Sequence, residues 1–301
     1  LLTTIAGLIR VAGPASNSAT PTSIAAPTTP IDTVQQGGTA AQDNQYPGPA
    51  PTTGTAEITW TIPRGISTTA MRSFVSGNTY FAQQMNAPDG FTGYISAYDI
   101  RTGKMLWRTT TVGLVPFAIS EVGVVTAVPV DESNKTMALA ILDPSTGDLV
   151  WQSQDIVDFA GATSTPALII DGTVAYFAPS SGRLIAVDLV ARSTRWNFTW
   201  VSPSQSTPAE ATPTCSEKGA TEACFANTSI PIYLASHGDT VYVAEQASMV
   251  VYAVESTTGH ERWKSDLTVP TNDQNYIAQL MALDSGVAVR TSWSLQSGGE
   301  I

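Results

Sequence analysis

Basic residues are scarce in this chain. Lys and Arg number 14 against 25 Asp and Glu, a net charge of −11, and no basic run occurs anywhere. The molecule as a whole is therefore a poor electrostatic partner for nucleic acid or anionic lipid. Charged residues make up only 13% of the sequence, about half the usual share for a soluble domain. Thr, Ser, Ala and Gly fill the difference, a composition suited to extended strands. There are two histidines, His237 and His260, and both fall at turns beside a glycine, where they read as surface residues. No run of ten or more residues keeps a 3.6-residue apolar period, so helices should be few and the class all-β. A nucleophile elbow, a phosphate-binding glycine loop, an HExxH helix and calcium-loop spacing of acids are all missing.

Cysteine is nearly absent as well. Cys215 and Cys224 lie in a polar, Pro-rich loop with no second cysteine or histidine at zinc-like spacing. A short-loop disulfide is the favoured reading over two free thiols, and it would place the domain in an oxidising compartment. In the chain-entropy model such a loop contributes roughly 2–3 kcal/mol.

The chain of 301 residues divides by composition. Residues 1–12 are mostly apolar but too short to span a bilayer alone. They suit either the end of a membrane anchor or signal segment, or an ordinary apolar stretch. Residues 13–56, rich in Pro, Ala and Thr, bury too little apolar surface to order themselves and read as a flexible tether that would hold a domain off a membrane. Folded structure is expected over 57–301.

That region is built on one phrase. Ile141-Leu142-Asp143-Pro144-Ser145-Thr146-Gly147-Asp148-Leu149-Val150-Trp151 reads as a strand, a turn and a second strand, with Leu139, Ile141, Leu149 and Trp151 as its apolar positions. Pro144 pre-sets φ, Asp143 can accept from backbone N–H groups further on, and Gly147 takes the left-handed conformation that closes the loop. The phrase recurs at Tyr98-Asp99 to Trp107, Val187-Asp188 to Trp196 and Val254-Glu255 to Trp263. In all four copies the acid precedes the tryptophan by eight positions, and in the third Ala191-Arg192 replaces Thr-Gly. From Trp60 onward the repeat tryptophans, at 107, 151, 196 and 263, fall at intervals of 47, 44, 45 and 67. A period near 45 with four short strands per unit is the signature of a β-propeller blade. The long interval holds an inserted loop at 201–229. Tyr276 to Leu283 and Ser285 to Thr291 suit the first two strands of a fifth unit. About four to five blades are visible where a full circle takes seven or eight. The chain is therefore expected to continue past Ile301, with the Trp60 strand finishing the last blade.

The phrase Ala97-x-Asp99-x-x-Thr102-Gly103-x-x-x-Trp107 resembles the quinoprotein-type (PQQ-like) propeller repeat, and the resemblance runs from about residue 57 to the end. It implies that Trp60, Trp107, Trp151, Trp196 and Trp263 dock between blades, with Gly103, Gly147 and Gly259 beneath their neighbours' rings. Arg192 should make the third turn a poorer seat. The family holds quinone-dependent dehydrogenases, which use PQQ and calcium, and non-catalytic propellers that serve membrane complexes. Adjacent cysteines over the quinone are common in the dehydrogenases, whereas Cys215 and Cys224 stand nine apart. No catalytic, cofactor-binding or metal-ligating residue is therefore assigned.

The favoured expectation is a non-catalytic, extracytoplasmic scaffold or accessory subunit of a bacterial membrane-associated complex. It would bind protein partners rather than nucleic acid, and reach the membrane through its N-terminal anchor or tether. A PQQ-dependent dehydrogenase and an envelope ligand- or glycan-binding module are the alternatives.

Overall fold

A computed structural model describes residues 7–12, 55–61, 70–85, 92–112, 117–130, 136–155, 157–158, 164–180, 182–201, 230–246, 248–267 and 275–293. Cys215, Cys224 and almost all of the inserted loop lie outside these residues, as does most of the expected tether. Among the described residues every regular element is a strand.

The first sheet pairs β1 (Gly7–Ala12) antiparallel with β2 (Thr55–Thr61). Residues 7–12 are thus extended, and they lie beside the strand that carries Trp60.

Four antiparallel meanders of four strands follow, two of which gain an extra short strand. The first contains β3 (Ala70–Ser76), β4 (Thr79–Met85), β5 (Thr92–Asp99) and β6 (Met105–Val112). The second contains β7 (Phe117–Ser120), β8 (Gly123–Pro129), β9 (Thr136–Leu142) and β10 (Leu149–Gln152), with the short β11 (Val157–Asp158) continuing along β9. After β12 (Ser164–Thr165) comes the third, made of β13 (Ala167–Asp171), β14 (Val174–Ser180), β15 (Arg183–Asp188) and β16 (Ser193–Thr199). The fourth has β17 (Ile230–His237), β18 (Thr240–Glu245), β19 (Val250–Glu255) and β20 (Glu261–Asp266). β21 (Asn275–Leu283) and β22 (Gly286–Trp293) form a final hairpin. This is an all-β propeller architecture of four-stranded blades, four of them fully described.

Alternation places the core between sheets. Ala118, Val125, Leu139 and Ile141 from the second sheet pack with Leu168, Ile170, Phe177 and Ile185 from the third. The opposite face of the third, with Tyr176, Trp196 and Phe198, packs on Leu234, Val243 and Tyr252 of the fourth. Each middle strand is buried on both faces, as the burial of all six residues of β18 shows.

Two features depart from the sequence reading. β12 leaves its own sheet and adds in parallel to β17, pairing Ser164 with Ile230 and Thr165 with Pro231. The innermost edge of one blade is thereby covered by the lead-in to the blade before it. Leu149, grouped by alternation with Leu139, Ile141 and Trp151, is instead 55% exposed. The register shifts between Leu149 and Trp151, and this bulge turns Leu149 away from the core face.

Candidate functional site

The repeated phrase closes each meander, and its local chemistry is the same in the three copies led by Asp, whereas Glu255 in the fourth accepts from the Thr258 hydroxyl. The Asp143 carboxylate accepts from the backbone N–H of Ser145 and of Thr146, at 2.7 and 3.1 Å. Asp99 does so with Arg101 and Thr102, and Asp188 with Val190 and Ala191. The turn's own backbone adds Gly147 N–H to Asp143 O at 2.8 Å. An acid at this position holds the turn before any tertiary contact forms.

Each turn then receives a tryptophan from the preceding sheet. Trp107 Nε1 donates to Pro144 O at 2.9 Å, Trp196 Nε1 to Ser256 O at 2.9 Å, and Trp60 Nε1 to Ile100 O at 2.7 Å. The acceptor is always the residue after the acid. The rings lie flat on the glycines: a Cβ added at Gly103, Gly147 or Gly259 would stand 2.7, 2.5 or 2.6 Å from an indole carbon. Those glycines also hold φ at +69°, +78° and +76°. Glycine is thus required twice over, for conformation and for space.

The remaining tryptophans are seated differently. Trp151 is partly buried against the cluster that contains Val187 and Leu189, and its indole makes no hydrogen bond among the described residues. The turn it meets has Arg192 at φ +56°. Trp263 is 40% exposed and packs against Tyr242, with ring centroids 5.9 Å apart. No acid–Thr–Gly turn covers it among the described residues. Arg192→Gly should therefore stabilise the protein by about 1 kcal/mol, through relief of left-handed strain at a non-glycine residue. A higher urea midpoint checks this.

Polar links between sheets supplement the indoles. Thr194 Oγ1 donates to Asp155, and Ser236 Oγ donates to Asp171 at 2.8 Å. His237 Nε2 lies 2.7 Å from Asp284 on the final hairpin. His237 and His260 are both exposed. Within the fourth sheet, Arg262 bridges Asp239 and Glu255 at 2.7 and 3.2 Å. Glu245 is fully buried and accepts from Trp200 Nε1 at 3.1 Å and from Ser248 Oγ at 3.2 Å. Sequence reasoning missed this last contact, although a second tryptophan four residues after Trp196 was a visible signal.

The turn carboxylates hold their protons loosely. The Thr102 hydroxyl lowers the pKa of Asp99, and the Ser145 hydroxyl that of Asp143. The Ala191 N–H and then Arg195 lower Asp188; Arg262 lowers Asp239; the Thr258 hydroxyl and then Arg262 lower Glu255. A depressed folded pKa gives stability that is present above the unfolded value and is lost as pH falls through the folded one. The urea midpoint should thus stay level from neutrality down to the ordinary carboxylate values, 3.8 for Asp and 4.5 for Glu, and fall below them. A midpoint that rises on acidification would contradict this.

Among the described residues no group of three or more His, Cys, Asp or Glu is placed to hold a metal ion. No helix among them is long and apolar enough to cross a membrane.

Comparison with solved structures finds weak likenesses. BamB from Moraxella catarrhalis is 16% identical, over 71% of this chain and 67% of its own, with a TM-score of 0.34. A europium-containing methanol dehydrogenase is 14% identical, over 70% of this chain and 44% of its own, with a TM-score of 0.45. The quinohemoprotein alcohol dehydrogenase ADHIIG from Pseudomonas putida HK5 is 13% identical, over 88% and 45%, with a TM-score of 0.47. The chain spans less than half the length of either dehydrogenase. No curated protein matches it. The family model described as outer membrane protein assembly factor BamB matches residues 50–229, more than half of the sequence. The repeat, the four-stranded sheets and this match together show that the chain belongs to the PQQ-like repeat β-propeller family to which that model refers.

Proposed function

We propose that this protein is a non-catalytic propeller scaffold, an accessory subunit of a membrane-associated complex outside the cytoplasm. The observation that carries the reading is the match over residues 50–229 to a family described by an assembly factor. The indole docks support it, because they join the blades into a surface on which partners can be arranged. Residues 1–12 serve as the anchor or targeting segment in this reading, 13–56 as the tether, and Cys215–Cys224 as the brace of the inserted loop.

Gentle detergent extraction from native membranes tests the proposal. Co-migration with membrane subunits in fixed stoichiometry supports the scaffold. A protein that runs alone, with quinone absorbance or calcium-dependent dye reduction, overturns it.

A further inference from the structure

Between residues 100 and 120 the sequence carries three bases and no acid, in a chain whose net charge is −11. The bases are Arg101, Lys104 and Arg108, and they bracket Met105 and Leu106. All five residues are exposed, Met105 to 47% and Leu106 to 48%. Arg101 and Lys104 make no ion pair among the described residues, whereas Arg195 and Arg262 are engaged by Asp188, Asp239 and Glu255. Asp99, which leads the turn, accepts from the N–H groups of Arg101 and Thr102. Arg108 donates to Ser96 Oγ at 3.0 Å and lies over the Tyr94 ring, two neutral groups that hold its guanidinium in place.

The other turns serve as internal controls. Arg101, Lys104 and Arg108 stand two, five and nine positions after the acid. At those positions the second turn has no base and an additional acid, Asp148; the third has no base; the fourth has His260 and Lys264. Exposed aliphatics six and seven positions after the acid recur once, at Leu149 and Val150. Polar or charged residues replace them in the third and fourth sheets. The same backbone plan therefore folds without either feature, and only the first sheet combines the two. Bases beside exposed aliphatics suit a surface that lies on an anionic bilayer, where charge attraction and apolar insertion act together.

Position in the molecule selects this occupant. The segment 13–56 joins the fold at β2, and Trp60 on β2 docks on this same turn. Its Nε1 donates to Ile100 O, and its ring lies on Gly103. The end of the chain that the scaffold reading ties to a membrane thus enters the fold against the turn that carries the bases. Repulsion from the remaining acids is screened beyond about 8 Å at physiological salt, so a patch touching headgroups acts through its own charge.

We propose that Arg101, Lys104, Met105, Leu106 and Arg108 form the face that rests on an anionic membrane, with the bases on lipid phosphates and the two aliphatics among the headgroups. The proposal rests on the membrane-associated reading and adds which side of the scaffold meets the bilayer.

The full chain is mixed with vesicles of phosphatidylcholine alone, or of phosphatidylcholine and phosphatidylglycerol in equal parts, and bound protein is measured by flotation at physiological salt. The ratio of the two partition coefficients is the readout, because any insertion of residues 1–12 contributes to both. It should exceed tenfold in favour of phosphatidylglycerol. Losing one base near the surface weakens such binding about fivefold, so Arg101→Gln combined with Lys104→Gln should bring the ratio close to one. Met105→Ser combined with Leu106→Ser should weaken binding to the anionic vesicles at least threefold. Lys264→Gln, at an exposed base of the fourth sheet, should leave the ratio unchanged, as should Leu149→Ser combined with Val150→Ser. Unchanged urea midpoints in these variants separate lost binding from lost folding. A wild-type ratio near one, or an equal loss in Lys264→Gln, overturns the proposal. In cells, benzoylphenylalanine in place of Leu106 should cross-link to lipid; cross-linking to a protein instead would make this a partner-binding surface and overturn it too. The scaffold reading fails on a separate result, a protein extracted without partners.

Discussion

Trp107→Ala is expected to lower stability by about 3–5 kcal/mol, the range for truncating a buried aromatic. Trp107 is 7% exposed and packs in a cluster with Phe74, Phe81, Phe117 and Ile119. Its ring covers Gly147 and its indole satisfies Pro144 O. Truncation would leave a cavity between two sheets and an open turn backbone at once. Trp151→Ala should cost clearly less, because that ring is partly buried and lacks the hydrogen bond. Urea denaturation of the two variants checks the order. Equal losses would mean that the hydrogen bond and the glycine seat contribute nothing measurable.

The second large effect is expected at Gly259. Its φ of +76° already disfavours a side chain, and a Cβ would stand 2.6 Å from the Trp196 ring. Gly259→Val should cost roughly 1–2 kcal/mol for the conformation and a further 1–3 kcal/mol or so for forcing the indole off its seat. Gly172→Val supplies the comparison. Gly172 has φ +56° with nothing within 4 Å of an added Cβ, so only the conformational part applies. The difference between the two urea midpoints isolates the cost of displacing Trp196. Indole fluorescence should shift to the red in Gly259→Val alone.

Much of this architecture could be read from the chain. An acid eight residues before a tryptophan, with Thr-Gly between, is a local code, because the turn is held by the acid's own side chain within three residues. The strands expected from Tyr276 and from Ser285 start within one residue of where β21 and β22 begin. Contacts that depend on distant partners were less legible. Nothing in Ser164-Thr165 announces a parallel pairing with residues 66 positions on. The pairing of β1 with β2 spans a long stretch of uniform composition. Leu149 looked like a core residue because alternation assumes unbroken register, and a bulge removes that assumption.

The direction of the indole docks has a bearing on how the chain is made. Each tryptophan waits for a turn that is synthesised after it: 37 residues later for Trp107, 40 for Trp60 and 60 for Trp196. At roughly 5–20 residues per second, a newly made sheet shows an uncovered indole to its surroundings for several seconds. The residues inserted after Trp200 lengthen that wait for Trp196 by about half. A ribosome-bound chain that ends just short of Ser256 should therefore hold three finished meanders and one indole still in water.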